Sequence, residues 1–159
     1  GAVKGNPQVI KGAGSKTVKG VAVKGIAAFH DTAKGAQRGQ DTVFSITVDG
    51  IRIVHLGDLG HTLDASQVKE VGATDILLTP VGGNFTIDAQ AAAQVAEALK
   101  AKVVVPMHFK TAHCAYPIVD AEAFLKGRPN VRRVDGSEAE FTKERLPKTT
   151  ETVVLKHAL

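Results

Sequence analysis

Ile51-Arg52-Ile53-Val54-His55-Leu56-Gly57-Asp58-Leu59-Gly60-His61 is an apolar strand that runs into a turn carrying a carboxylate and two imidazoles. Ile51, Ile53 and Val54 are β-branched and suit a pleated, buried surface. The strand should end at Leu56. Gly57 and Gly60 then let the backbone turn tightly and let other groups come close to Asp58. Loops held by a rigid sheet commonly carry function. A carboxylate set between histidines in such a loop has the chemistry of a metal ligand. The plainer reading is that Asp58 caps the next helix and the histidines are surface groups. The stretch alone leaves both open.

Working outward, Asp49-Gly50 is a two-residue hairpin signal. Thr42 to Val48 alternates apolar with polar, as a half-buried strand does. An antiparallel hairpin is therefore predicted over Thr42 to Leu56. Thr17 to His30 reads as two more strands, with Gly20 and Gly25 marking bends or bulges. The second of these delivers Phe29-His30-Asp31 to a sheet edge. Residues 32 to 41 are polar and read as a mobile loop outside the core.

Beyond Gly60 the pattern changes. Asp64 to Val71 reads as a short helix, capped by Asp64 or Thr62 and stopped by Gly72. Asp75 to Thr79 is almost continuously apolar, which suggests a strand buried on both faces. Val81-Gly82-Gly83-Asn84 is a turn. Asp88 to Ala101 is the clearest helix, with Asp88 as its cap and an alanine-rich face. Val103 to Val105 is a second buried strand that delivers His108. A short helix over Asp120 to Lys126 and weaker strands at Val131 to Val134 and Thr152 to Leu155 complete the chain. Hairpins followed by β-α-β-α predict a layered α/β or α+β fold, with residues 1–159 in one domain.

Composition agrees with a soluble fold. The 159 residues could bury about 70% of their unfolded surface. With 43% hydrophobic but only 4% aromatic residues, the core must be mostly Val, Ile, Leu and Ala. The single cysteine excludes an internal disulfide and fits a reducing, cytoplasmic setting. No apolar run approaches the ~20 residues of a membrane span. The net charge is +4, with the excess among early lysines. These lie among glycines and valines with no aromatic partners, so solvated turns outweigh a nucleic-acid surface.

Three predicted strand ends carry a potential metal ligand: His30, Asp58 and His108. Imidazole with carboxylate suits zinc, manganese or iron. Each residue alone has a duller role, as loop group, turn cap or hydrogen-bonded half-buried group. The repetition at strand ends makes the set more persuasive than its members. His61, close to Asp58, would be substrate-facing or supporting, and Gly82-Gly83-Asn84 could line a pocket or simply turn the chain. His55 reads as a structural histidine on a strand face. Lys110 and Thr111 read as a solvated pair, and Cys114 beside His113 as a packing cysteine.

Phe29-His30-Asp31, His55 to His61, Pro80 to Asp88 and Pro106 to Thr111 occur in an order that resembles the metallo-β-lactamase-fold metal-dependent hydrolases. The likeness is strongest to uncharacterised bacterial and archaeal members related to ascorbate-6-phosphate lactonases. The resemblance implies an αββα sandwich with mixed sheets, helices on the outer faces and a metal site at one sheet edge. It implies His30 as a ligand of one metal, Asp58 as the carboxylate bridging two, and His108 as a ligand of the other. It also implies metal-activated hydroxide attacking an ester, lactone, amide or phosphoester of a small-molecule substrate.

One departure is large. The family's His-x-His-x-Asp-His segment is absent from this chain. Under the resemblance, the chain begins just after that segment, and the domain is incomplete at its N-terminal side. The isolated chain is then expected to bind its divalent metal, zinc foremost, weakly and to catalyse little. An N-terminal half or a second copy would cover exposed sheet surface. Two alternatives remain: a non-catalytic scaffold or oligomerisation domain of the same fold, and a nucleic-acid-binding or nuclease relative.

Overall fold

The computed structural model describes residues 5–158. Residues 1–4 and 159 lie outside the described residues. Eight strands form one mixed sheet in the order β1-β2-β3-β4-β5-β6-β8-β7. They are β1 (Gly14–Val18), β2 (Val21–Phe29), β3 (Gln40–Val48), β4 (Ile51–His55), β5 (Ile76–Pro80), β6 (Val103–Met107), β7 (Val131–Arg133) and β8 (Glu151–Val154). The helices are α1 (Ala65–Val71), α2 (Ala89–Ala98) and α3 (Glu122–Leu125).

The first half is two hairpins, β1–β2 and β3–β4, joined by antiparallel pairing of β2 with β3. Lys19 and Gly20 both take positive φ, as do Asp49 and Gly50. That conformation matches the twist of the flanking strands and fixes the register. Phe44 pairs with His55 and Val48 with Ile51, symmetrically about the Asp49-Gly50 turn. Gly20 is thus a hairpin turn. Gly25 lies within the sheet, where a Cβ would come within 2.1 Å of the Gly12 carbonyl oxygen.

The second half is parallel. β4 pairs with β5, β5 with β6, and β6 with β8, all in parallel. The local signals for the helices are realised. Asp64 and Gln67 form a reciprocal capping box on α1, and Gly72 at positive φ ends it. The Asp88 carboxylate accepts from the Ala91 N–H and caps α2. β6 runs through Pro106 to Met107.

Two apolar layers enclose the sheet. On one face Ile26, Val43, Val54, Leu77 and Val104 meet α1, α2 and α3 through Val71, Val95 and Phe124. On the other, Ile51, Ile76, Val103, Val105 and Val153 are covered by Val134, Ala139, Phe141 and Leu146. The described residues therefore supply one sheet with its helix layer on a single face, which is half of the expected four layers.

The fold's consequence for function is directional. β2, β4, β5 and β6 all run the same way, since β3 is antiparallel to both β2 and β4. The turns after these four strands leave one edge of the sheet together. β3 starts at that same edge. Leu59 is fully buried in the core and ties the turn after β4 down. Burying such a side chain contributes about 1.5–3 kcal/mol.

The polar stretch after β2 is not a loose loop. Asp31 is only 2% exposed. Its carboxylate accepts backbone N–H bonds from Ala33 (2.8 Å), Gly35 (2.9 Å), Gln37 (3.0 Å) and Arg38 (2.7 Å). Burial pushes its carboxyl up, but these four bonds outweigh it and hold the pKa below the ordinary value. The chain winds around one anion, so polarity here organises a turn. Gln40 and Asp41, grouped with this stretch on composition, belong to β3.

Candidate metal centre

The shared edge collects His30, Asp41, His55, Asp58 and His108. His108 follows β6 with a left-handed backbone, φ 50°. A non-glycine residue there is strained by about 1–2 kcal/mol. Such strain persists only where the surroundings hold it, and it clusters at functional sites. The His108 Nε2 stands 4.0 Å from Asp58 Oδ1. Asp58 is itself exposed, and its backbone N–H donates to Asp41 Oδ1 at 3.2 Å. His30 and Asp58 both act electrostatically on the Asp41 carboxylate.

Three glycines permit this crowding. A Cβ on Gly60 would lie 2.3 Å from the His30 carbonyl carbon. One on Gly57 would lie 2.4 Å from Asp41 Oδ1, and one on Gly82 would lie 2.3 Å from the His108 carbonyl oxygen. Each is closer than side chains tolerate. Gly57 also takes φ +60°.

The neighbouring groups support these positions. His61 Nε2 accepts from the Phe29 N–H at 3.1 Å, so Nδ1 carries the proton and donates to the Thr62 carbonyl at 2.7 Å. Both ring nitrogens are engaged by backbone, and the ring fastens the strand end that presents His30. His55 Nδ1 accepts from the Gly57 N–H at 3.0 Å. Burial pushes the His55 pKa down, against the pull of Asp41 and Asp58. Gly82 donates to the His108 carbonyl at 3.1 Å and accepts from the Val119 N–H at 2.9 Å. Gly83 is buried, while Asn84 is exposed at the turn with φ 60°.

The structure brings Asp58 and His108 together and puts His30 within electrostatic reach of Asp41. Among the described residues no group of three His, Cys, Asp or Glu side chains is drawn into a cation cage. Yet the edge fits a cation on another observation. Among the described residues, three buried side-chain polar atoms lack any partner: His30 Nε2, Asp41 Oδ2 and His108 Nδ1. All belong to this edge. A buried polar atom without a partner is costly, and imidazole nitrogen with carboxylate oxygen is the donor set of a divalent transition metal.

Asp41 was missed by sequence reasoning because it was placed in the polar loop. The hairpin held the signal. A two-residue turn at Asp49-Gly50 pairs residues symmetrically, which sets position 41 opposite position 58. Away from this edge, Lys110 Nζ donates to the Tyr116 carbonyl at 2.9 Å. The His113 ring meets that of His157 edge-on at 4.8 Å, and Cys114 is a free, half-buried thiol.

The profile of the Beta-lactamase superfamily domain matches residues 1–108, ending on His108. The chain belongs to the β-lactamase superfamily. Among curated relatives, a UPF0173 metal-dependent hydrolase of Hyperthermus butylicus is 37% identical over 94 residues, covering 59% of this chain and 39% of the relative. Its counterpart in Carboxydothermus hydrogenoformans is 35% identical over 104 residues, covering 63% of this chain and 44% of the relative. The chain thus spans less than half the length of these relatives. A crystal structure from Thermotoga maritima, a Zn-dependent hydrolase candidate of the metallo-β-lactamase superfamily, superposes with a TM-score of 0.84 at 42% identity. That match covers 96% of this chain and 74% of the other. The superfamily fold accounts for the edge described here, where β2, β4, β5 and β6 end together. Among the described residues no helix is long and apolar enough to cross a membrane.

Proposed function

We propose that this chain forms the later part of the catalytic domain of a metal-dependent hydrolase, with a divalent cation, zinc foremost, at the edge where β2, β4 and β6 end. The observation that carries this reading is the set of orphaned donor atoms at one edge: His30 Nε2, Asp41 Oδ2 and His108 Nδ1. Asp58, His108 and His30 would hold the cation. When bound, such a cation supplies Lewis-acid polarisation of a scissile carbonyl or phosphoryl oxygen and acidifies water. The chain's own groups do the positioning. His61 and Gly60 fix the strand end behind His30, His55 and Asp41 hold the Gly57-Asp58 turn, and Gly82 seats His108. The substrate is a small ester, lactone, amide or phosphoester in a cytoplasmic setting.

The three ligands leave coordination to be completed elsewhere, and the relatives are more than twice as long as their matched portions. We therefore assign the remaining ligands to a further, N-terminal portion of the domain. The 159-residue chain by itself would hold metal weakly and turn over little. The sheet face carrying Phe44 and Ile46 is only partly buried, and Val48 there is 37% exposed. This supports an N-terminal portion, or a second copy, as its cover. The lack of a three-ligand cage among the described residues favours one competing reading, a non-catalytic scaffold of the same fold.

Elemental analysis of the full-length protein carrying this chain, followed by assay on ester, lactone and phosphodiester panels, tests the proposal. Bound transition metal with metal-dependent hydrolysis is the expected result. A full-length protein that holds no transition metal would overturn it in favour of the scaffold.

A further inference from the structure

Asp41 is a half-buried carboxylate at the start of β3, at the edge of the proposed centre, and its neighbours explain only half of it. Its Oδ1 accepts the Asp58 N–H at 3.2 Å. Its Oδ2 is buried and meets no donor. We propose that Asp41 is a positioning carboxylate of the cation centre. It fixes the Gly57-Asp58 turn through one oxygen and supplies, through its charge, part of the attraction that retains a divalent cation beside Asp58 and His108. The inference rests on the metal-centre reading.

Three independent features converge on it. The β3–β4 ladder, whose outermost pair is Phe44 with His55, carries the start of β3 up to the turn after β4, where the Asp58 N–H donates to Asp41 Oδ1. Gly57 takes φ +60° with its open side against the carboxylate, and a Cβ there would sit 2.4 Å from Oδ1. A glycine suits that point twice over, for its left-handed φ and for the close approach of the carboxylate. Third, burying a charged oxygen without a partner is expensive unless a cation or a donor offsets it. The nearby carboxylate of Asp58 makes the cost larger, since like charges repel. With a divalent cation held by Asp58 and His108, the Asp41 charge would attract the cation and offset that repulsion.

A purely structural Asp41 would need only its hydrogen-bonding oxygen. Asn keeps that oxygen and the shape and removes the charge, so Asp41→Asn separates the two roles. The full-length protein carrying this chain is stripped of metal and titrated with Mn²⁺, free Mn²⁺ being counted by electron paramagnetic resonance. Melting temperature is recorded with and without Mn²⁺. The wild type should bind. Asp41→Asn should bind about 10–100-fold more weakly, the range found when supporting partners of metal ligands are removed. Its Mn²⁺-induced rise in melting temperature, measured against its own metal-free state, should shrink accordingly. That internal comparison holds even where Asn lowers the metal-free stability. Equal affinity and an equal rise in both proteins would overturn the inference and leave the metal-centre reading standing. No Mn²⁺ binding by the wild type would remove the metal-centre reading itself.

Discussion

Asp41 and Asp75 are two carboxylates at opposite ends of the same sheet, and their surroundings treat them oppositely. Asp75 lies where β5 begins and is 8% exposed. Both its oxygens are used: Lys102 donates to Oδ1 at 2.9 Å, while Lys143 (2.7 Å) and the Arg52 N–H (2.9 Å) donate to Oδ2. Burial pushes its pKa up, but these donors win and hold it at about 2. Asp41 accepts the Asp58 N–H through Oδ1 and leaves Oδ2 idle. There burial prevails and its pKa is raised. A saturated carboxylate stabilises a fold, whereas a buried oxygen without a partner costs stability and calls for an explanation. The end where the strands begin satisfies its carboxylate, and the end where they finish, where we propose the cation centre, does not.

Several changes would break or sharpen this contrast. The largest effect should come from the open end. His108→Ala or Asp58→Asn should weaken divalent-cation binding by about 100-fold or more, above the range for supporting groups, with little change in metal-free stability. Mn²⁺ titration of each variant measures it, and wild-type affinity in both would make this end as inert as the other. Next is the backbone that seats the histidine. Gly82→Ala pushes a Cβ to 2.3 Å from the His108 carbonyl oxygen. The clash is with backbone, which cannot swing aside, so a loss of about 1–3 kcal/mol is expected by chemical denaturation.

The closed end should respond to pH. Asp75 has a folded pKa of about 2 against an ordinary 3.8. Its contribution is complete above about pH 5 and is lost as pH falls through 3.8 toward 2, where both states become protonated. The full shift would correspond to about 2 kcal/mol. Its lysine partners are 45% and 44% exposed, so solvent screening trims this. Asp75→Asn should cost about 1–2 kcal/mol at pH 7 and flatten the acid limb of the stability curve. An unchanged acid limb would sink the assignment. The smallest effect is expected at the exposed pair of Arg132 and Glu151, 2.9 Å apart. Arg132→Ala should change stability by about 0.5 kcal/mol or less. A larger loss would mean that surface pairs, and not the buried carboxylate, set the electrostatic stability of this fold.

The sequence by itself determined what short-range physics controls. Asp49-Gly50 dictated a hairpin because its two residues tolerate positive φ. Asp64, Gly72 and Asp88 bounded the helices because caps act within one turn. His30, Asp58 and His108 were readable as candidates because each follows a run of strand-forming residues. Tertiary structure alone decided which groups meet. It turned His61 onto backbone, wound residues 32–39 around the Asp31 carboxylate, and slotted β8 between β6 and β7. It also drew Asp41 under Gly57. The reason is that side-chain direction and burial depend on partners tens of residues away, and local periodicity carries no record of those partners until strand pairing fixes the register.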